Sequence, residues 1–248
     1  MSAHPIGIDF GGTGIKAAPV DLDTGEFAAA RARIDTPEKS TPEAVGAIMA
    51  ELVATFPDST GAVGVAVPGV VRRGVVLSAA NIDKSWIGVD ADKVLTERLD
   101  RPVHVLNDAD AAGYAELQYG AAKDRDGMVI LTTLGTGIGT ALLWDGLLVP
   151  NSELGHLEID GHDAETRAAA SAHEREGLSW EDWAKRLTTY YRTLEKLFSP
   201  DLFVVGGGIS KKADKFLPLI DIETEIVAAK LKNLAGIVGA AALSDRKD

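Results

Sequence analysis

The sequence predicts an α/β protein assembled from two related halves. Apolar, β-branched runs alternate with helical patterns, the signature of buried, largely parallel sheets flanked by helices. In addition, Gly12-Thr13-Gly14-Ile15 recurs as Gly135-Thr136-Gly137-Ile138, an offset of 135 − 12 = 123 residues in a chain whose half-length is 248/2 = 124. Such a tetrapeptide can recur by chance. Recurrence at half the chain length, each time after an apolar strand, points to a duplication.

In chain order, strands are expected at Ile6–Phe10, Lys16–Val20, Val63–Val67, Val103–Leu106, Met128–Leu134, Thr140–Leu143 and Leu202–Val205. Each glycine repeat therefore joins two strands as a hairpin. One helix is expected to start at Thr41, with Thr41 as N-cap and Pro42 at the first helical position. Another opens at Asn107-Asp108 and runs through Glu116. A third starts at Ser179, with Glu181 and Asp182 in its positive first turn. Its residues Trp183, Leu187, Tyr190, Tyr191, Leu194, Leu197 and Phe198 share one broad face, which suits a core helix or a subunit contact. A final helix is expected over about Ile222 to Leu234, before a small-residue stretch and a fraying polar tail, Ser244–Asp248. The expected domains are residues 1–108, rejoined by a C-terminal helix over 222–243, and residues 109–221. No Pro/Ser-rich linker marks the boundary, so it is placed from the repeat and from the strand ending at Leu106.

Hydrophobic residues make up 46% and charged residues 25%, an ordinary globular balance. A net charge of −12 argues against nucleic-acid binding, which needs a basic footprint. The absence of cysteine excludes disulfides, thiolate zinc sites and cysteine nucleophiles, and a reducing cytoplasm is the expected home. No apolar run approaches the ~20 residues of a membrane span. The opening MSAHPIGIDF lacks a basic region and an apolar core, so no secretory signal is expected.

Asp9-Phe10-Gly11-Gly12-Thr13-Gly14-Ile15-Lys16 combines a strand-end carboxylate, a glycine turn and a cation. Glycines permit φ > 0 and let backbone N–H groups approach phosphate oxygens. Lys16 can neutralise a phosphate, and Asp9 can hold Mg²⁺ through water. An ordinary hairpin explains this segment alone equally well. The second copy, Gly135, Thr136, Gly137 and Gly139, favours a pair of hairpins gripping one phosphate chain. Neither copy has the Walker or Rossmann spacing. Gly206-Gly207-Gly208 ends a further strand, where open α/β sheets bind ligands, although a tight strand-to-helix connection accounts for it too. Asp108 is either a helix cap beside Asn107 or a carboxylate placed to take a proton from a substrate hydroxyl. Glu153 and His156 suit sugar recognition; with Glu158, His162 and Asp163 nearby they also suggest a metal site, ranked lower. Asn81 can reach a hydroxyl and Trp86 can wall a pocket, or both belong to a surface loop.

In combination, Asp9–Lys16, Val67-Pro68-Gly69, Asn107–Ala112, Leu134–Thr140, Glu153–His156 and Gly206–Gly208 occur in the order that resembles the ROK-type sugar kinases. The resemblance covers nearly the whole chain. It implies a duplicated ribonuclease H-like, actin/Hsp70-type two-domain sugar kinase fold. Within it, Asn81–Gly88 and Gly206–Lys212 look like the polyphosphate glucokinases, which phosphorylate glucose from inorganic polyphosphate and often ATP. The chain is short and lacks the cysteine-rich zinc loop expected after His156, so no zinc site is expected. Both departures are shared by that subgroup.

The resemblance implies that Asn81, Asn107, Glu153, His156 and Glu165, with Glu158 as the alternative to Glu165, hold the sugar hydroxyls. It implies Asp108 as the base for the glucose 6-hydroxyl, and the two hairpins with Mg²⁺ as the donor grip. A homodimer is also expected. Lys16, Lys84, Lys211, Lys212 and Lys215 are expected to form a basic track for a polyanion, although each alone suits solvent. Other expectations weighed are a strictly ATP-dependent ROK-type hexokinase, a non-catalytic sugar-sensing ROK protein, and an actin/Hsp70-like ATPase. The eight residues before Asp9 hold no helix-turn-helix, which disfavours a DNA-binding regulator, and the Glu153/His156 pair disfavours a protein-remodelling ATPase.

Overall fold

Ile6 and Ile8 are fully buried, and the strand they open, β1 (Ile6–Gly11), is the centre of the first sheet. It appears so in the computed structural model, which describes residues 4–244. These residues divide into two compact units, one running to Ala115 and resuming at Leu234, the other spanning Glu116–Asn233. In the first unit β1 turns antiparallel into β2 (Gly14–Asp21), which carries the short strands β3 (Glu26–Phe27) and β4 (Ala32–Ile34). Helix α1 (Pro42–Ala54) starts as expected, Thr41 accepting a hydrogen bond from the Ala44 N–H at 3.3 Å with Pro42 following. Strand β5 (Val63–Val67) then lies parallel to β1. The small hairpin β6 (Val71–Arg72) and β7 (Val75–Val76) precedes α2 (Ala91–Leu99). Strand β8 (Val103–Asn107) pairs parallel with β5, and α3 (Asp108–Tyr119) leaves it directly. The sheet order is β3-β2-β1-β5-β8, with β4 also on β2.

The second unit repeats that plan. Strand β9 (Met128–Leu134) pairs antiparallel with β10 (Ile138–Trp144), which pairs antiparallel with β11 (Leu147–Val149). A two-stranded excursion, β12 (Glu158–Ile159) and β13 (His162–Asp163), leads to α4 (Ala164–Ala168), α5 (Ala170–Glu176) and α6 (Trp180–Phe198). Ser179 caps α6, accepting from the Asp182 N–H at 3.0 Å. Trp183, Leu187, Tyr190, Tyr191 and Leu194 are buried along that helix, whereas Leu197 is 58% exposed and leaves the stripe. The Tyr191 hydroxyl and Thr132 Oγ1, 2.7 Å apart, tie α6 to β9. Strands β14 (Leu202–Gly206) and β15 (Glu225–Ala228) complete the order β11-β10-β9-β14-β15, β14 and β15 running parallel to β9. Both units thus have an antiparallel second strand and parallel outer strands in equivalent places, the duplicated ribonuclease H-like arrangement.

The last helix is not where the periodicity puts it. Ile222, Ile226, Val227 and Leu231 mimic helical spacing, but Glu225–Ala228 forms β15, paired in register with Leu202–Val205. The open edge of β14 supplies backbone partners that override the local pattern. The helix is the small-residue stretch instead, α7 (Ala235–Leu243), and it belongs to the first unit. The expected rejoining segment 222–243 is therefore part strand in one unit and part helix in the other. The first boundary also moves, from residue 108 into α3 after Ala115. Helix α7 sits close on β1 and β5: a Cβ on Gly7 would lie 1.8 Å from the Ile237 carbonyl oxygen, and one on Gly64 would lie 1.8 Å from that of Ala240. Beyond Ser244 the polar tail lies outside the described residues, as does the chain before His4. Among the described residues no helix is long and apolar enough to cross a membrane.

Candidate functional site

The two hairpins share sequence but not register. Gly11 pairs with Gly14, leaving a two-residue Gly12-Thr13 turn; Leu134 pairs with Ile138, leaving a three-residue loop closed by the Gly135 N–H on the Gly137 carbonyl at 3.0 Å. None of Gly11, Gly12, Gly14, Gly135 or Gly137 has positive φ, so the expected conformational reason for glycine is wrong here. Close approach replaces it at three of them. A Cβ on Gly12 would press the Asn81 carbonyl oxygen at 3.1 Å, one on Gly14 the Arg33 guanidinium at 2.7 Å, and one on Gly137 the Glu165 Oε2 at 2.2 Å. Gly135 and Gly208 are different: a Cβ on either meets nothing within 4 Å. Neither a positive φ nor packing asks for glycine at these two positions. Gly207 has φ 83° and packs on Leu134, a Cβ there lying 2.4 Å from the Leu134 oxygen, which sets the third glycine cluster against the end of β9. Gly206 ends β14 opposite Thr133, and Gly139 faces Thr133 from β10.

In the first unit, Asp9 and Lys16 pair across the β1–β2 register, Nζ to Oδ2 at 2.8 Å. Arg33 donates to the Thr13 carbonyl at 3.0 Å and Thr36 to that of Gly11 at 2.6 Å, so two residues not singled out from the sequence brace this turn. Asn81 is exposed with φ 60°, and its loop is anchored by Ser40, which accepts from the Asp83 N–H at 3.0 Å. Trp86 does not wall a pocket. It is fully buried, donates to the Ser40 carbonyl at 2.8 Å and packs on Phe10. Asn107 is the cap of α3: its Oδ1 accepts from the Ala109 and Asp110 N–H groups at 2.8 and 3.0 Å, and its Nδ2 donates to the Gly69 carbonyl at 3.1 Å. Asp108 follows at the first helical position, half-buried, its Oδ1 also accepting from the Ala109 N–H at 2.8 Å.

In the second unit, Thr140 on β10 positions the Glu153 loop, its Oγ1 donating to the Ser152 carbonyl at 2.8 Å and accepting from the Leu154 N–H at 3.1 Å. Gly155 lets that loop lie on the hairpin, since a Cβ would come within 2.1 Å of the Ile138 oxygen. Glu153, His156, Asp163 and Glu165 then converge: His156 Nδ1 is 2.9 Å from Asp163 Oδ2 and 4.0 Å from Glu165 Oε1, and its Nε2 is 4.0 Å from Glu153. Glu165 also accepts from the Ile138 N–H at 3.0 Å, joining the cluster to the glycine hairpin. It is Glu165, not the exposed Glu158, that the fold brings to His156. His156, Asp163 and Glu165 each offer an atom within 4.8 Å of the others, a spacing a cation can bridge. Ser171, another residue not anticipated, donates to the Thr136 carbonyl at 2.6 Å, and its sequence signal is only a serine near a helix start. Lys211 is exposed, and Lys212 and Lys215 stand over Trp180 at 5.9 and 5.7 Å. Of the expected basic track, Lys16 is already paired with Asp9, and Lys84 lies exposed on the one-turn helix Lys84–Trp86.

Burial pushes the Glu153 carboxyl above its ordinary value, against the pull of the His156 cation and helped by Glu165. The Asp163 hydrogen bond raises His156 above 6.5, with Glu165 and Glu153 adding to it and burial opposing it. A raised imidazole contributes stability below 6.5 and loses it as pH rises through the folded-state value. An NMR titration of the His156 ring is expected to give a midpoint above 6.5 that falls back in Asp163→Asn. A wild-type midpoint at or below the ordinary histidine value would show that the pair does not hold the proton.

Residues 5–169 match the ROK family. A polyphosphate glucokinase of Mycobacterium tuberculosis (strain CDC 1551 / Oshkosh) is 51% identical over 97% of this chain and 91% of its own length. The crystal structure of an inorganic polyphosphate/ATP-glucomannokinase from Arthrobacter sp. strain KM superposes with a TM-score of 0.91 at 56% identity, covering 97% of this chain and 98% of that one. A ROK family glucokinase from Streptomyces griseus, solved with glucose and AMPPNP, matches with a TM-score of 0.82 at 26% identity over 97% and 99% of the two chains. With two thirds of its length matched to the family and relatives at half identity over nearly all of it, this chain belongs to the ROK family.

Proposed function

We propose that this protein transfers a phosphate from inorganic polyphosphate, and from ATP, to the 6-hydroxyl of glucose. The observation that carries the reading is the Glu153–His156–Glu165 cluster fastened to the second glycine hairpin through the Ile138 N–H. A carboxylate and imidazole set suits the hydroxyls of a polyol, and the adjoining open glycine backbone suits phosphate oxygens. The relatives named for polyphosphate and ATP support both donors.

In this reading Glu153, His156 and Glu165, with Asn81 and Asn107, hold the sugar. Asp108 takes the proton of the 6-hydroxyl as that oxygen bonds to the donor's terminal phosphorus, and the donor P–O bond breaks to release the shortened chain or ADP. Backbone N–H groups of the glycine turns, with Lys16, Lys211 and Lys212, take up charge on the transferred group. Asp9 commits Oδ2 to Lys16 and keeps Oδ1 outside that pair, which suits a Mg²⁺ ion held through water. When bound, Mg²⁺ would neutralise donor phosphate charge. The cytoplasm and a homodimer complete the proposal; the exposed Leu197 on α6 motivates the dimer, and a monomer mass in sedimentation would remove it.

The test compares initial rates of glucose 6-phosphate formation from polyphosphate and from ATP, with mannose as a second acceptor. Formation from both donors is expected. Hydrolysis of ATP that glucose neither requires nor redirects would reject the reading. Gly135→Ala separates site from scaffold: with open space for its Cβ, the variant should melt within about 0.5 kcal/mol of wild type yet raise the donor KM about ten-fold. Normal donor KM would remove Gly135 from the donor grip.

A further inference from the structure

The second unit contains a cleft of about 280 Å³ that neither the glycine hairpins nor the Glu153 loop line. Its polar wall comes from Asp160, His162, Arg167, Arg186, Thr189 and Tyr190. Among the described residues Arg167 makes one side-chain hydrogen bond, from Nη2 to His162 Nε2 at 2.6 Å. A guanidinium only donates, so that imidazole nitrogen accepts and the ring proton lies on Nδ1. Among the described residues no carboxylate pairs with Arg167. Arg186, by contrast, is neutralised by Glu176 at 2.6 Å and donates to the Arg167 carbonyl at 3.3 Å. Tyr190 supplies an independent observation. It is 1% exposed, and its hydroxyl is enclosed without a hydrogen-bond partner among the described residues. Burial holds the phenol well above its ordinary value of 10.0, so it stays a neutral hydroxyl. An enclosed hydroxyl without a partner is unfavourable, and an acceptor bound against it would relieve that.

We propose that this cleft is a second ligand site, binding a small sugar phosphate through Arg167 and Tyr190. The unpaired guanidinium takes the phosphate, and Asp160 and Thr189 suit hydroxyls of the sugar. A cleft of about 280 Å³ has room for a small phosphorylated ligand. The choice of a sugar phosphate over another small anion rests on the proposed function; the anion site itself does not.

Calorimetric titration of the full chain with glucose 6-phosphate tests this, using wild type, Arg167→Gln, Tyr190→Phe and Glu153→Gln. Arg167→Gln is expected to weaken one class of binding about ten-fold or more, and Tyr190→Phe several-fold. Tyr190→Phe removes an unpartnered hydroxyl and should fold at least as well as wild type. Glu153→Gln should leave that class intact, and inorganic phosphate should compete for it. Unchanged affinity in both cleft variants overturns the proposal, as does loss of all binding in Glu153→Gln. If Arg167→Gln removes the only binding present, the cleft stands and the proposed sugar set fails separately.

Discussion

Asp108→Asn is expected to lower turnover about 10³-fold while glucose affinity stays within a few-fold of wild type. Asn107 already caps α3 with its Oδ1, so the helix start does not depend on the Asp108 charge. The amide is close in size to the carboxylate, and its oxygen can keep the 2.8 Å hydrogen bond from the Ala109 N–H. What disappears is the capacity to accept a proton. Steady-state kinetics with calorimetric glucose binding separates the two quantities. Near-normal turnover would remove Asp108 as the base, and loss of binding with loss of turnover would make it a sugar ligand instead.

Gly64→Ala is expected to destabilise the fold by about 3 kcal/mol or more. The new methyl would sit 1.8 Å from the Ala240 carbonyl oxygen and 2.3 Å from its carbon, inside hard contact with backbone rather than with a movable side chain. Relief requires α7 to lift from β5, where Ile237, Val238, Ala240 and Ala241 are fully buried. Gly7→Ala should behave alike, through the Ile237 carbonyl. Urea denaturation measures both, and a change below about 0.5 kcal/mol in Gly64→Ala would mean that α7 yields more easily than its packing implies.

These glycines also explain why the last helix escapes a reading of periodicity. Residues 235–243 have no polar face, since the helix lies against strands, and its partners Gly7 and Gly64 are about 230 and 175 positions away in sequence. Strand β15 escapes for the converse reason: its pairing with β14 is a tertiary choice, and Ile226-Val227 alone suits either structure. The hairpins, by contrast, are legible because strand, turn and strand are contiguous. Even so, the one-residue difference in their registers is not written in the shared tetrapeptide.

At the candidate site, Glu153 and His156 stand out as polar residues beside a glycine. The resemblance already puts Glu165 ahead of Glu158, but the physical reason, the reversal of the chain by β12 and β13 before α4, is not written in the local sequence. Arg33, Thr36 and Ser171 act on backbone carbonyls of the turns, a role that any surface residue of those types resembles in sequence. Trp86 shows the opposite error, a large residue among loop signals whose indole N–H finds a buried carbonyl.

The most direct test is a ³¹P NMR time course of purified protein with polyphosphate, glucose and Mg²⁺. A phosphomonoester signal of glucose 6-phosphate should grow in one-to-one proportion to the chain phosphate consumed. Orthophosphate as the sole product, or an ester on another hydroxyl, would contradict transfer to the 6-hydroxyl.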